Sequence, residues 1–389
     1  MLTRRQMLLG AAGGWLTRRS MAQAPAETLE SLPGKAQLIR RAGRPPNYET
    51  PLAGLVPAFT ANRDFFVRYH LAVIPELDPR TWSLEIGGAS ARRPYRISLT
   101  QLRRDFEPAE LTAVNQCSGN RRGLFAPRVP GVQWGNGAMG NARWRGARLR
   151  DVLHRADLAP EALEVWCDGA DGPVIPTTPD FVKSLPLERA LDESTLIAYE
   201  MNGAPLPHLN GAPARLVVPG WTGTYWMKHL TQLRVEPTAC ESFWMKSAYR
   251  VPAGAFKGSR FASQDNPDTV PITDILVNSL ITSHVDGARV RADAGESLAG
   301  KAWDNGAGID VVEYSVDGRR SWRAAQLGRD LGRFGWREFA VSLRDVPRGA
   351  VEVAVRARSR DGSQQPEKLT VNPAGYHDNR VQSVRLEIA

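Results

Sequence analysis

Cys117 lies in Asn115-Gln116-Cys117-Ser118-Gly119-Asn120-Arg121-Arg122, a polar, glycine-containing stretch after the apolar run Leu111 to Val114. A cysteine in such an electropositive loop has its thiolate favoured and its sulfur presented, whereas a structural cysteine sits among apolar neighbours and stays inert. The chemistry suggested is that of a reactive or metal-ligating thiolate. A solvated loop around an unused thiol is the competing reading, so the motif takes its meaning from its companions.

The other two cysteines, Cys167 and Cys240, allow at most one disulfide if Cys117 binds a metal; they read either as that bridge or as two buried reduced thiols. No Cys-x-x-Cys-His is present, so no covalent c-type haem is expected, and no paired Cys/His spacing points to zinc or an iron–sulfur cluster.

The elements that must position this chemistry come from a chain of 389 residues, 42% hydrophobic and 23% charged, a globular composition of two or three domains. Its start, Met1-Leu2-Thr3-Arg4-Arg5-Gln6-Met7-Leu8-Leu9-Gly10, is a twin arginine before a Gly/Ala-rich apolar segment ending at Leu16, too short to span a bilayer. Residues 1–24 read as a twin-arginine export signal with cleavage options after Ala22 or Ala24. The expectation is a periplasmic protein with no membrane helix. Losing Arg4, Arg5, Arg18 and Arg19 with the leader lowers the formal charge from +9 to +5. The basic residues are dispersed, with no run interleaved with aromatics, which argues against nucleic acid and for an anionic substrate or acidic partner.

Residues 25–64 are Pro- and Gly-rich and read as an extended arm. From 65 to 251 strands and helices mix: Trp82, Leu84 and Ile86 alternate with Ser83 and Glu85 as in a half-buried strand, Leu149, Val152, Leu153 and Ala156 have helical spacing, and Leu216-Val217-Val218 reads as a buried strand ending at Pro219-Gly220. After the loop from Gly254 to Pro267 the helical pattern disappears. Val312 to Val316 turns at Asp317-Gly318 before Trp322, and Val351, Val353 and Val355 alternate again. The expected architecture is an α+β catalytic domain followed, from 265 to 389, by an all-β immunoglobulin-like sandwich.

Several further motifs stand in order along the chain: Phe65-Phe66-Val67-Arg68-Tyr69-His70, the Cys117 loop, Gly135 to Trp144, Ala198-Tyr199-Glu200-Met201-Asn202-Gly203 and Val217-Val218-Pro219-Gly220-Trp221. Together they resemble the sulfite oxidase family of molybdenum enzymes over nearly the whole chain after the signal. The resemblance implies a molybdopterin-binding domain and a dimerisation sandwich. It implies one molybdenum held by the dithiolene of a molybdopterin and by the Cys117 thiolate, with no haem in this chain.

By position in those motifs, Arg68 and Arg122 resemble the family's substrate arginines, whose planar donors match the oxygens of sulfite in pairs. Trp134 is then the apolar wall of the pocket, and Tyr249 the tyrosine beside the reacting centre. The cofactor contacts map onto His70, Asp171, Arg215 and Lys228, with Asn210 where vertebrate-type members have a histidine; no residue is assigned to the family's further substrate arginine in the sandwich. The function implied is sulfite oxidation with electrons passed to an external cytochrome c, in a homodimer. A sulfane dehydrogenase subunit acting on a carrier-bound persulfide is the alternative. A reductase and a metal-free periplasmic binding or adhesion protein are the more distant readings.

Overall fold

A computed structural model describes residues 27–253, 263–265, 267–291 and 295–389. The expected signal at 1–24 lies outside them, as does most of the loop from Gly254 to Pro267. Among the described residues no helix is long and apolar enough to cross a membrane.

The catalytic domain is organised around two strands, Pro108–Gln116 and Met139–Arg148, paired antiparallel from Pro108 opposite Ala147 to Gln116 opposite Met139. That register delivers Cys117 to the end of the sheet, where its N–H donates to Ala138 O at 2.9 Å. The strand Leu196–Met201 extends the sheet on the other side, and Arg215–Val217 pairs with it in turn. Trp144 anchors the fold beneath: fully buried, it donates Nε1–H to Ala113 O at 3.1 Å and meets Phe65 and Trp226 edge-on. Truncating such a side chain costs about 3–5 kcal/mol.

A second sheet orders Lys183–Pro186, Glu164–Gly169, Leu230–Glu236, Ser83–Gly87 and Tyr95–Ser98. Leu84 and Ile86 are fully buried on one face of their strand, as the alternation predicts. The helix Leu149–Arg155 buries Leu149, Val152 and Leu153, and Ala156 follows at its end. Residues 25–64 differ from expectation: Leu29–Ser31, Gln37–Ala42 and Asn47–Glu49 form a four-stranded sheet with Val67–Arg68. Pro33, Pro45 and Pro46 fall in the turns between these short strands, where a missing N–H costs no ladder bond.

The sandwich packs a four-stranded sheet on a five-stranded one, with Val312, Val353, Val355 and Phe339 in its core. The hairpin at Asp317-Gly318 pairs Ile309–Ser315 with Arg323–Ala324. A separate apolar cluster of Leu55, Val114, Met139, Ile275, Leu280, Trp303 and Trp336 joins the sandwich to the catalytic domain. Polar bonds cross the same junction: Trp303 Nε1–H to Gln116 Oε1 at 2.6 Å and Val114 N–H to Phe334 O at 2.9 Å.

Candidate active site

Cys117 opens into a cavity also lined by Arg68, His70, Asp171, Asn210, Arg215, Lys228 and Tyr249. Eight of the ten residues singled out from sequence therefore meet at one place. They come from five stretches of chain: Arg68 and His70, the cysteine loop, Asp171, the segment from Asn210 to Lys228, and Tyr249.

The cavity is rich in buried cations. Arg215 donates to Asn210 O (2.9 Å) and Trp226 O (2.8 Å), and its guanidinium lies 5.3 Å from the ring of Trp144 and 5.7 Å from that of Trp226. Burial pushes Arg215 down to about 9, still protonated at neutral pH. Lys228 donates to Arg68 O at 2.7 Å and sits over the ring of Tyr69. Burial, with Arg215 beside it, holds its ammonium well below the usual lysine range. Asp171 is the one carboxylate among the lining residues, and burial pushes it up to about 6 against the pull of Lys228.

Tyr249, held at a left-handed φ of 57°, places its hydroxyl between two partners, 3.2 Å from Arg68 Nη2 and 2.5 Å from His70 Nε2. His70 stacks on Phe181 with ring centroids 3.6 Å apart. Burial, with the nearby cations Arg68, Lys228 and Lys183, lowers its pKa far enough to keep the imidazole neutral. Arg68 is further tied to Asn47 Oδ1 at 3.1 Å and to Tyr69 O.

Two expected residues stand elsewhere. Trp134 is fully buried but does not line the cavity; it lines a separate groove with Gly123, Leu124 and Phe125. Its segment is turned away because Gly123 N–H donates to Trp134 O at 2.8 Å and Arg121 N–H to Gly135 O at 2.8 Å. Arg122 lies in a vestibule beside the cavity, lined in part by Arg68, Tyr249, Trp244 and Tyr376. Its Nε donates to Ala374 O at 2.7 Å and its Nη1 to Val132 O at 3.3 Å, so two of its donor groups are spent on backbone. The side chain passes through a slot made by glycines: a Cβ on Gly119 would fall 2.6 Å from its Cζ, and one on Gly131 2.9 Å from its Nη1.

Sequence reasoning missed four contributors. Lys35 donates to Asn62 O, Phe65 O and Asn210 Oδ1 beneath the cavity. His229 lies 2.8 Å from the Tyr69 hydroxyl. Lys183 donates to Trp244 O and lies over the rings of Tyr225 and Tyr249. Tyr376 arrives from the sandwich. None carries a local motif, and each is isolated in sequence from the loop it supports, so no local pattern marks them.

The oxidoreductase molybdopterin binding domain family matches residues 70–244, and the Mo-co oxidoreductase dimerisation domain family matches residues 269–388. The sulfite oxidase of Gallus gallus is 34% identical over 342 residues, covering 84% of this chain and 72% of that protein. The chain belongs to the sulfite oxidase family. The mitochondrial sulfite oxidase of Macaca fascicularis is 36% identical over 343 residues, 85% of this chain, and the chain spans 61% of that protein's length. The crystal structure of the sulfane dehydrogenase SoxCD from Paracoccus pantotrophus shares the fold with a TM-score of 0.74 at 23% identity, covering 96% of this chain and 93% of that one.

The lining fits the molybdopterin cofactor of this family. Arg68, Arg215 and Lys228 face a single carboxylate, and the buried Arg215 Nε, Ser118 Oγ, Thr224 Oγ1 and Asn115 Oδ1 have no protein partner. An anionic, multiply hydrogen-bonding group relieves both the cation excess and the orphaned polar atoms. Cys117, on the same wall, supplies the soft thiolate that a high-valent metal requires.

Proposed function

We propose that this chain is a periplasmic molybdenum-dependent oxidoreductase that oxidises sulfite to sulfate and passes the electrons to a separate cytochrome c. The observation that carries the reading is the Cys117 thiol opening into a buried, cation-lined cavity whose edge presents Arg68 and Tyr249. Sulfite gains one oxygen that derives from water, and two protons and two electrons leave. When bound, the cofactor supplies the oxygen-atom transfer and the two-electron couple.

The residues of the chain do the rest. Cys117 holds the metal, while Arg215, Lys228, His70, Asn210 and Asp171 hold the pterin and its phosphate end. Arg68 and Tyr249 place the oxyanion, and the neutral His70 keeps the Tyr249 hydroxyl oriented. Arg122 sets the vestibule wall. Export by the twin-arginine signal puts the folded protein in the periplasm, and the matched dimerisation domain supports a homodimer. Light scattering is expected to give twice the chain mass at micromolar concentration.

A carrier-bound sulfur substrate is the second reading. It is favoured by the vestibule, where Pro130, Phe243, Trp244, Pro373 and Ala374 offer apolar surface suited to a substrate arm.

Sulfite-dependent reduction of ferricyanide and cytochrome c, with molybdenum measured on the same sample, tests the proposal. Turnover with about one molybdenum per chain is expected. Metal without sulfite turnover would move the assignment to the carrier-bound substrate or to a reductase, and protein that binds no metal would overturn it.

A further inference from the structure

The substrate-facing groups named so far all come from the catalytic domain, yet the vestibule has a second wall. The sandwich brings Pro373, Ala374 and Tyr376 to it, and among the described lining residues it brings no arginine. Tyr376 is 5% exposed, with its ring stacked on that of Tyr249, centroids 5.6 Å apart and planes 15° from parallel. The guanidinium carbon of Arg122 lies 5.1 Å from the centre of the same ring.

The backbone at this point is fixed on both sides. Asn372, itself buried, accepts from Tyr376 N–H at 3.0 Å and donates its Nδ2 to Tyr376 O at 2.8 Å. Arg122 grips Ala374 O, and the intervening Gly375, at φ 62°, leaves room for the arginine stem, which a Cβ there would approach to 2.8 Å. The loop therefore does not drift over the site; it is clamped there. The phenol lies within electrostatic reach of Arg68, Arg122, Tyr249 and Cys117, and burial keeps it protonated. A ring needed only for packing requires no hydroxyl, whereas a protonated phenol beside an arginine and a second phenol is a ready donor to an oxyanion.

We infer that Tyr376 is a substrate-binding residue contributed by the sandwich domain, donating its O–H to an oxygen of the oxyanion that Arg68 and Tyr249 also hold. The inference rests on the reading of this site as an oxyanion site. Recognition then uses the Arg68 guanidinium, steadied by Asn47 and Tyr69, and two phenols, because Arg122 spends two of its donor groups on the clamp.

Tyr376→Phe in the holoenzyme separates the hydroxyl from the ring, with sulfite turnover and binding of inorganic sulfate by calorimetry measured on the same preparation. The expected result is a roughly tenfold rise in the sulfite KM and in the sulfate Kd, with kcat within about twofold and an unchanged Tm, as for one lost bond to a charged group. Unchanged KM and Kd would reduce Tyr376 to packing and overturn the inference while leaving sulfite oxidation intact. If the parent protein fails to oxidise sulfite, the functional reading falls. The sulfate comparison still decides Tyr376: weaker binding supports it and equal binding overturns it.

Discussion

The cavity around Cys117 and the vestibule beside it share Arg68 and Tyr249 but anchor their other cations differently. In the cavity, Arg215 and Lys228 are buried with few anionic neighbours, at a cost the fold tolerates because a bound anion repays it. At the domain junction, Arg122 in the vestibule and Arg121 behind it are held by groups of both domains, although the buried Arg121 Nε has no partner. Arg121 donates to Asn278 Oδ1 and Arg380 O, with Asp378 nearby, and Arg122 donates to Ala374 O and Val132 O. Cations bonded within one domain around an open cavity mark a binding site; cations bonded across two domains mark a joint. Two adjacent buried arginines after the cysteine thus reach across the domain junction, although the sequence position of Arg122 suggested substrate.

The sharpest break of this comparison is at the ligand itself. Cys117→Ser is expected to keep the fold and much of the pterin while turnover falls to background, because serine supplies no thiolate; kinetics with molybdenum content checks this, and near-normal activity would remove Cys117 from the metal. Lys228→Met tests whether the cavity cations serve the cofactor. Cofactor content should drop on the order of tenfold while the cofactor-free protein gains a few degrees in Tm, since a desolvated ammonium is gone.

Arg122→Ala tests the joint. Leaving Ala374 O and Val132 O without their donor should cost about 2–4 kcal/mol in denaturant unfolding and raise the sulfite KM through displacement of Tyr376. A loss of cofactor instead would place Arg122 with the cavity. The smallest effect is in pH. Burial pushes Lys35 and Lys183 down to about 7, so above that pH the unfolded chain binds more protons and stability rises toward pH 10. Burial pushes Asp168 up to about 7 and Asp171 to about 6, so the folded chain binds more protons below these values and stability falls as pH rises from 4 to 7. Cofactor-free protein should therefore be least stable near neutrality. Lys35→Met should flatten the alkaline limb by about 1–2 kcal/mol, read from urea midpoints at pH 7 and 9.

What was legible in the sequence was what repeats or clusters locally. Leu84 and Ile86 showed their strand by alternation and Leu149 to Ala156 their helix by spacing, whereas the polar cysteine loop, read as exposed, is buried against the cavity and the domain junction. The N-terminal sheet was hidden because strands as short as Leu29–Ser31 and Asn47–Glu49 carry too few residues for a period to register. Trp134 was misplaced because nearness to Cys117 in sequence says nothing about which side of a turn a ring takes. Tyr376 was missed for the converse reason: it reaches Arg122 across some 250 residues of chain, through domain docking that no local pattern encodes.

The N-terminal sheet also changes where the enzyme begins. Asn47 holds Arg68, Lys35 holds Asn210 from below, and Glu49 accepts from both Gly135 N–H and Gly137 N–H, pinning the strand entry that faces Cys117. The matched binding-domain region starts at residue 70, so a gene trimmed to that boundary would encode a tidy domain with an unmade active-site floor. For anyone expressing this protein, the working limit is set by hydrogen bonds at Lys35, well upstream of the start of the matched binding-domain region.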